Sequence, residues 1–253
     1  MTTSFSYSQP TTVVGGIGAG TSVGEYIAMY GSRPLVVGGG SASMASGAFD
    51  DVRAALDERH LEFVRLEGIA SNPGVAVAEA GVELARAHHA DVIVAVGGGS
   101  VIDVAKAIAV GQATGRPIRS LLSGIRDPAT FIDAATPVVA VPTLPGSGSE
   151  LNGTSVLTDE VTWRKLSMHS DLAAPRVAML DPAYAMQAPA PILAAALADA
   201  IAHAVESVLS ERATVASDAL ARAAMMTIVD HAAVAIDPEG DHEQREQAML
   251  HCL

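Results

Sequence analysis

An aspartate and a histidine, Asp199 and His203, stand four positions apart in the alanine-rich stretch 196–207. That stretch has the apolar spacing of a helix, and residues at positions i and i+4 share one helix face. A carboxylate and an imidazole therefore point the same way out of an apolar segment, and both groups can ligate a metal ion. By themselves the two residues leave a second interpretation open, in which they belong to an ordinary solvated helix face.

A glycine-serine turn ends the apolar stretch 91–100 and leads into a helical pattern. Glycine lets the backbone come close to a ligand, and the unpaired N–H groups at a helix start attract anions. Ligands of open α/β sheets bind at the carboxyl ends of the strands, where this turn would lie. The turn is therefore a candidate pyrophosphate site, with Ser100 offering a hydroxyl. The alternative is a tight strand-to-helix turn that needs glycine only for its geometry.

Two further loops contain glycine. The stretch 13–24 has the first spacing of a dinucleotide fingerprint, but Thr21 stands where the third glycine would be, so we interpret it as a turn before a helix. The loop 141–150 follows another apolar strand, and a second loop of this kind favours a shared cleft. Three of its hydroxyl side chains could line a polar ligand: Thr143, Ser147 and Ser149.

The composition favours a globular protein in a reducing compartment. Of the 253 residues, 49% are hydrophobic and 17% are charged, which argues against disorder. A net charge of −13 argues against nucleic acid or an anionic membrane as the main partner. The one cysteine, Cys252, excludes an intrachain disulfide. Because we find neither a secretory signal nor an uninterrupted membrane-spanning run, we predict a cytoplasmic protein.

Short β-branched runs alternate with helical patterns from about residue 11 to 182, which predicts an α/β fold with a mostly parallel sheet. After that point the sequence is helical and rich in alanine, in three segments: 191–211, 213–236 and 240–253. We therefore predict an α/β domain over 1–185 and an all-helical domain over 186–253. The last segment has no helix stop signal, so we expect the helical domain to be incomplete.

With these motifs in place, the sequence resembles the iron-containing (group III) alcohol dehydrogenase family. Four stretches carry the resemblance in the family's order: 97–106, 141–150, 163–184 and 199–207. It implies an N-terminal dinucleotide-binding domain of α/β type and a C-terminal helical domain, with metal and substrate between them. Members transfer a hydride between NADH or NADPH and an aldehyde or ketone, usually with Fe²⁺ or Zn²⁺.

The resemblance implies a set of cofactor-binding residues. The glycine-serine turn would hold the pyrophosphate, and residues of the loop 141–150 would lie along the cofactor. The family usually has a second threonine where this chain has Leu144, so one polar contact is expected to be lost. Both lysines of the chain, Lys106 and Lys165, fall on motif positions. The implied residues are Gly97, Gly98, Gly99, Ser100, Asp103, Thr143, Leu144, Ser147 and Lys165.

The strand that begins at Pro34 ends in three glycines and a serine: Gly38, Gly39, Gly40 and Ser41. Many NADH-using members have an acidic residue there, whose charge would repel a 2′-phosphate. Without the acid, the exposed backbone N–H groups should accept that phosphate. We therefore predict a preference for NADPH.

Metal binding is the part of the resemblance that this sequence fulfils incompletely. An aspartate and a histidine spaced as Asp199 and His203 are two of the four metal ligands in the family. The other two are histidines on later helices, past the matched end of this sequence. None of the remaining histidines has the spacing of that pair. Two protein ligands fall below the roughly three that a catalytic metal normally has.

Three hypotheses follow. The first is an NADPH-dependent, metal-assisted oxidoreductase that interconverts an alcohol and an aldehyde or ketone, as a fragment or a shortened member. The second is a truncated homologue that binds nucleotide without turnover. The third is an enzyme with altered, metal-free chemistry. The substrate, the choice between Fe²⁺ and Zn²⁺ and the oligomeric state stay open, with a homodimer expected from the family alone.

Overall fold

A six-stranded parallel sheet forms the centre of the N-terminal region in the computed structural model, which describes residues 5–40, 44–122 and 131–253. The strands are β1 (Thr12–Gly15), β2 (Pro34–Gly39), β3 (Val64–Ile69), β4 (Val92–Gly97), β5 (Val138–Pro142) and β8 (Val177–Leu180). Their spatial order is β1-β8-β5-β4-β2-β3. Every residue of the inner strands β2, β4, β5 and β8 is buried, as is typical of a parallel sheet that is covered on both faces.

Helices cover both faces of the sheet, and successive residues along a strand point to opposite faces. Val94 and Val96 pack in the core beneath one helix pair, whereas Ile93 and Ala95 pack beneath the other. The first pair is α1 (Val23–Tyr30) and α2 (Ala48–Glu58); the second is α3 (Val75–His88) and α4 (Gly99–Thr114), beside the short α5 (Ile118–Leu121). The predicted α/β class with a parallel sheet is confirmed.

An antiparallel hairpin, β6 (Thr154–Asp159) and β7 (Arg164–His169), stands outside the main sheet. Neither strand was among the elements predicted from the sequence. Their polar residues and mixed burial reflect a half-buried ribbon, which gives a weaker signal than a central strand. Trp163, at the hairpin turn, has a positive φ of 55° and is 82% exposed.

The C-terminal region is helical, as predicted, and has its own apolar core. Leu193, Leu197, Ile228 and Met249 are among the residues of that core. Polar caps fix two helix starts, because Thr214 forms a capping box and Asp241 accepts a bond from the backbone N–H of Gln244. The helices are α6 (Pro182–Ala185), α7 (Ala190–Leu209), α8 (Val215–Ile236) and α9 (His242–Cys252). The division at residue 185/186 stays a prediction.

Helices α7 and α8 expose much of their apolar surface. Leu209, Val215 and Val229 are 78%, 72% and 68% exposed. By length and composition both helices could cross a membrane, although core helices of soluble proteins meet the same criterion. The expectation that this protein has no membrane partner therefore stays a prediction.

Ile93 tests the packing of the central sheet, because its side chain is fully buried in the core. We expect Ile93→Ala to lower the free energy of unfolding by about 2–5 kcal/mol, since the cavity cannot fully collapse. Met29 is 74% exposed and provides the control, with a change within about 0.5 kcal/mol for Met29→Ala. Urea unfolding followed by circular dichroism measures both; equal effects would contradict this account of the core.

Candidate active site

Two cavities flank the N-terminus of α4, at the carboxyl ends of β4 and β5. The hairpin-side cavity, about 560 Å³, is lined by residues that include Asp103, Lys165 and Asp199. The β2-side cavity, about 730 Å³, is lined by residues that include Gly40 and Tyr184. Three residues line both: Gly99, Ser100 and Leu144. The cavities therefore meet at the predicted pyrophosphate site.

Helix α4 begins at glycine residues and has no side-chain cap. Gly98 is the N-cap residue, and the first N–H groups of a helix have no partner within the helix. Gly99 has no room for a side chain, because a Cβ there would overlap Ser147. Because the turn is built from glycine, these N–H groups are open to an approaching anion.

The loop Thr143–Ser149 packs between α4 and α7. Gly146 has a φ of +116°, and a Cβ on it would lie 2.5 Å from the carbonyl oxygen of Ala196 in α7. On the other side of the loop, Ser147 contacts Gly99. One loop thus fixes the distance between the glycine-serine turn and the helix that carries Asp199 and His203.

A buried polar cluster stands behind the hairpin-side cavity. Ser149 donates a hydrogen bond of 2.5 Å to Oδ1 of Asp103, and the backbone N–H of Val156 donates one of 3.1 Å to Oδ2. Burial raises the pKa of Asp103, which Lys106 opposes by favouring the carboxylate. Burial likewise raises the pKa of Glu150 and lowers that of Lys106 to about 8. The cluster is a set of charges held out of water beside a cavity, a feature of functional sites.

Asp199 and His203 lie on one face of α7, as their spacing predicts, and both line the hairpin-side cavity. The carboxylate Oδ2 is 3.5 Å from the imidazole Nε2, and both side chains are more than half exposed. Glu206 approaches the other ring nitrogen at 3.6 Å. Among residues 5–40, 44–122 and 131–253, no group of three or more His, Cys, Asp or Glu side chains could hold a metal ion.

The structure brings most of the predicted residues together around the two cavities. Gly38 and Gly97 belong to the strands β2 and β4 that end there, while Ser41 lies outside the described residues. The other predicted residues line one cavity or both: Gly39, Gly40, Gly98, Gly99, Ser100, Asp103, Thr143, Leu144, Ser147, Lys165, Asp199 and His203. Lys106 instead stands behind the wall, fully buried.

Sequence reasoning missed Tyr184, which lines the β2-side cavity. Its hydroxyl donates a hydrogen bond of 2.7 Å to Asp51, and burial together with that carboxylate raises the pKa of the tyrosine. Its ring packs on Gly20, where a Cβ would overlap the hydroxyl. Tyr184 lies far from both Asp51 and Gly20 in the sequence. The one local sign of this contact is Gly20, in the glycine-containing stretch 13–24.

Gly146 and Gly148 form a matched pair for the loop contact. Both have positive φ, but a Cβ on Gly148 would have no atom within 4 Å. We expect Gly148→Ala to lower the free energy of unfolding by about 1–2 kcal/mol through backbone strain alone. Gly146→Ala should cost about 1–3 kcal/mol more, because its φ of +116° lies outside the left-handed region that alanine can adopt and because its Cβ also overpacks against Ala196. Urea unfolding tests both, and equal losses would mean that the contact with α7 does not constrain the loop.

The site can be compared with those of known proteins. Residues 10–182 match the family model described as iron-containing alcohol dehydrogenase. The chain is 34% identical over 248 residues to NADH-dependent butanol dehydrogenase A of Clostridium acetobutylicum, covering 97% of this chain and 62% of that protein. It is 29% identical over 249 residues to the NADPH-dependent aldehyde reductase YqhD of Escherichia coli, with the same two coverages.

Solved structures agree with the sequence matches. The crystal structure of NADH-dependent butanol dehydrogenase A from Thermotoga maritima superposes with a TM-score of 0.87 at 28% identity, covering 98% of this chain and 62% of that one. The chain thus spans about 62% of the length of these relatives. With the family model matching more than half of its residues, the chain belongs to the iron-containing alcohol dehydrogenase family.

Proposed function

We propose that this protein is an NADPH-dependent, metal-assisted oxidoreductase that interconverts an alcohol and an aldehyde or ketone. One observation carries the proposal: two cavities meet at the bare N-terminus of α4, and most of the predicted cofactor residues line them. A dinucleotide has two nucleoside halves joined by a pyrophosphate. Two cavities joined at an anion site match that shape.

The adenosine half is assigned to the β2-side cavity and the nicotinamide half to the hairpin-side cavity. The pyrophosphate would then accept hydrogen bonds from the backbone of Gly99 and from Ser100, which line both. Lys165 places a positive charge in the hairpin-side cavity, which Asp103 and Asp199 also line. Beside a phosphate, that lysine would attract the anionic cofactor locally, in a chain of net charge −13.

The preference for NADPH over NADH rests on the end of β2. Gly39 and Gly40 line the β2-side cavity and present backbone without a carboxylate. A Cβ on Gly40 would have no atom within 4 Å, so the backbone of this turn is open towards the cavity. Relatives with names specifying either cofactor are similar to this chain, so the proposal depends on these glycines and not on the comparisons.

The metal assigned to the site is Fe²⁺ or Zn²⁺, with Asp199 and His203 as ligands. The donor types suit either ion, but the described residues supply two donors where about three are normal. When bound, the ion would polarise the substrate carbonyl as a Lewis acid. The chain's own part is to hold the cofactor through the α4 backbone, Lys165 and Asp103, beside the face of α7 from which the two ligands project.

The two-ligand set also favours a second candidate function, a nucleotide-binding homologue without turnover. Metal-free chemistry in the same cleft is the third. The experiment that separates them follows NADPH oxidation by the purified chain with small aldehydes, with and without added Fe²⁺ or Zn²⁺. Metal-dependent turnover supports the proposal, metal-independent turnover the third function, and NADPH binding without turnover the second.

Asp199 gives the metal assignment its own test. We expect Asp199→Ala to weaken Zn²⁺ binding by at least about tenfold, because a carboxylate ligand is lost. Asp230 lies on the separate helix α8, so Asp230→Ala is the control and should leave the affinity unchanged. Isothermal titration with Zn²⁺ measures both chains; the same affinity in both variants would remove Asp199 from the site.

Gly40 tests the cofactor preference, because a Cβ added there would meet no atom within 4 Å. We expect Gly40→Asp to weaken NADPH binding by about tenfold or more through repulsion of the 2′-phosphate, while NADH binding changes little. The isosteric control Gly40→Asn adds the same volume without the charge. Fluorescence titration with both cofactors measures the effect; equal losses for the two cofactors would show that the phosphate does not bind near Gly40.

A further inference from the structure

Lys106 is the largest fully buried side chain of the described residues, with an exposure of 0%. Burying an ammonium ion is costly, and an apolar residue of similar volume in its place is often neutral or stabilising. The other cations of this chain are 13 arginines and Lys165, which lie at exposed or partly exposed positions wherever the structure describes them. The need for a stable fold therefore does not account for a lysine here.

All three protons of the ammonium have a partner. Nζ donates to Oγ of Ser149 at 2.8 Å, to Oδ1 of Asn152 at 3.3 Å and to the carbonyl oxygen of Thr154 at 2.8 Å. A protonated lysine can only donate, so Ser149 must accept from it. The serine's own proton is then directed to Oδ1 of Asp103, at 2.5 Å.

The direction of these hydrogen bonds fixes the carboxylate of Asp103. Oδ1 accepts from Ser149, and Oδ2 accepts from the backbone N–H of Val156. Each carboxylate oxygen has a further lone pair that these two hydrogen bonds do not use. Because Asp103 lines the hairpin-side cavity together with Lys165, these lone pairs can accept a hydrogen bond from a ligand there. A neutral Lys106 could accept the serine proton itself, and Asp103 would then lose this bond.

We propose that Lys106 is a positioning residue for the cofactor: through Ser149 its ammonium holds the Asp103 carboxylate ready to accept a hydrogen bond from a hydroxyl of the bound dinucleotide. The inference rests on the proposed function and deepens it. The lysine never touches the cofactor. Nζ also lies 3.8 Å from Oδ1 of Asp103, an ion pair beyond hydrogen-bond distance, so the hydrogen-bonded path to the carboxylate runs through Ser149 and can be tested there.

The test is a double-mutant cycle on NADPH affinity, measured by fluorescence titration of the full chain. We expect Lys106→Met and Ser149→Ala each to weaken binding by about tenfold, and the double variant to be no weaker than the weaker single one. Circular dichroism checks that each variant is folded. If Lys106→Met does not fold, Ser149→Ala alone tests the proposal. Unchanged NADPH affinity in Ser149→Ala would then overturn the path through this serine.

Ser155 provides the matched control. It is also a buried serine bonded to Asp103, but its hydroxyl donates to the backbone carbonyl at 2.7 Å and not to the carboxylate. We expect Ser155→Ala to change NADPH affinity by less than about twofold. An equal loss in Ser149→Ala and Ser155→Ala would mean that general loosening of the cluster, and not the carboxylate, sets the affinity.

A pH series distinguishes positioning from packing. The charged groups that face Lys106 are Asp103 on α4 and Glu150 in the 149–151 turn, and burial lowers the pKa of the lysine to about 8. NADPH affinity of the unmodified chain should therefore fall as the pH rises through about 8, and Lys106→Met should lack this step. A purely structural lysine would leave both profiles alike.

The outcomes separate the two proposals. An unmodified chain that binds neither NADPH nor NADH overturns the proposed function and this inference with it. In the other case the unmodified chain binds NADPH, while the two single losses of affinity multiply to about a hundredfold in the double variant. That result would overturn only the path through Ser149.

Discussion

The contact that the site depends on is the packing of one loop against two helices, with a glycine at each interface that has no space for a Cβ. Gly99 of α4 meets Ser147, and Gly146 meets the carbonyl oxygen of Ala196 in α7. Because protein interiors are close-packed, these contacts act as rigid spacers. The loop thereby links the parallel sheet to a helical region that has a separate core, and it holds the two at the distance that leaves the cleft between them.

The buried ammonium of Lys106 lowers the stability of the folded state. The pKa of Lys106 falls from 10.5 to about 8 on folding, so between these values the unfolded chain binds more protons than the folded one. Stability then increases as the pH rises from about 8 to 10.5, because the cost of the buried charge is removed. The pH range that favours the fold is thus the range in which the charge that orients Asp103 is lost, and site organisation is maintained at some expense of stability.

How far the sequence predicts this structure depends on the range of the interactions involved. The strand at 92–97 and the helix after it follow from local patterns, and Asp199 and His203 share a helix face because their spacing requires it. The hairpin β6–β7 could not be predicted from local patterns, because its half-buried strands are polar and short. The bond from Lys106 to Ser149 joins residues 43 positions apart, so only the tertiary structure could reveal it.

The position of Trp163 decides which optical signals report on this protein. The chain has one tryptophan, and it lies at an exposed hairpin turn instead of in the core. Its indole is surrounded by water in the folded chain already, so its emission will change little when the sheet unfolds. Tryptophan emission is therefore a poor probe of global unfolding of this protein.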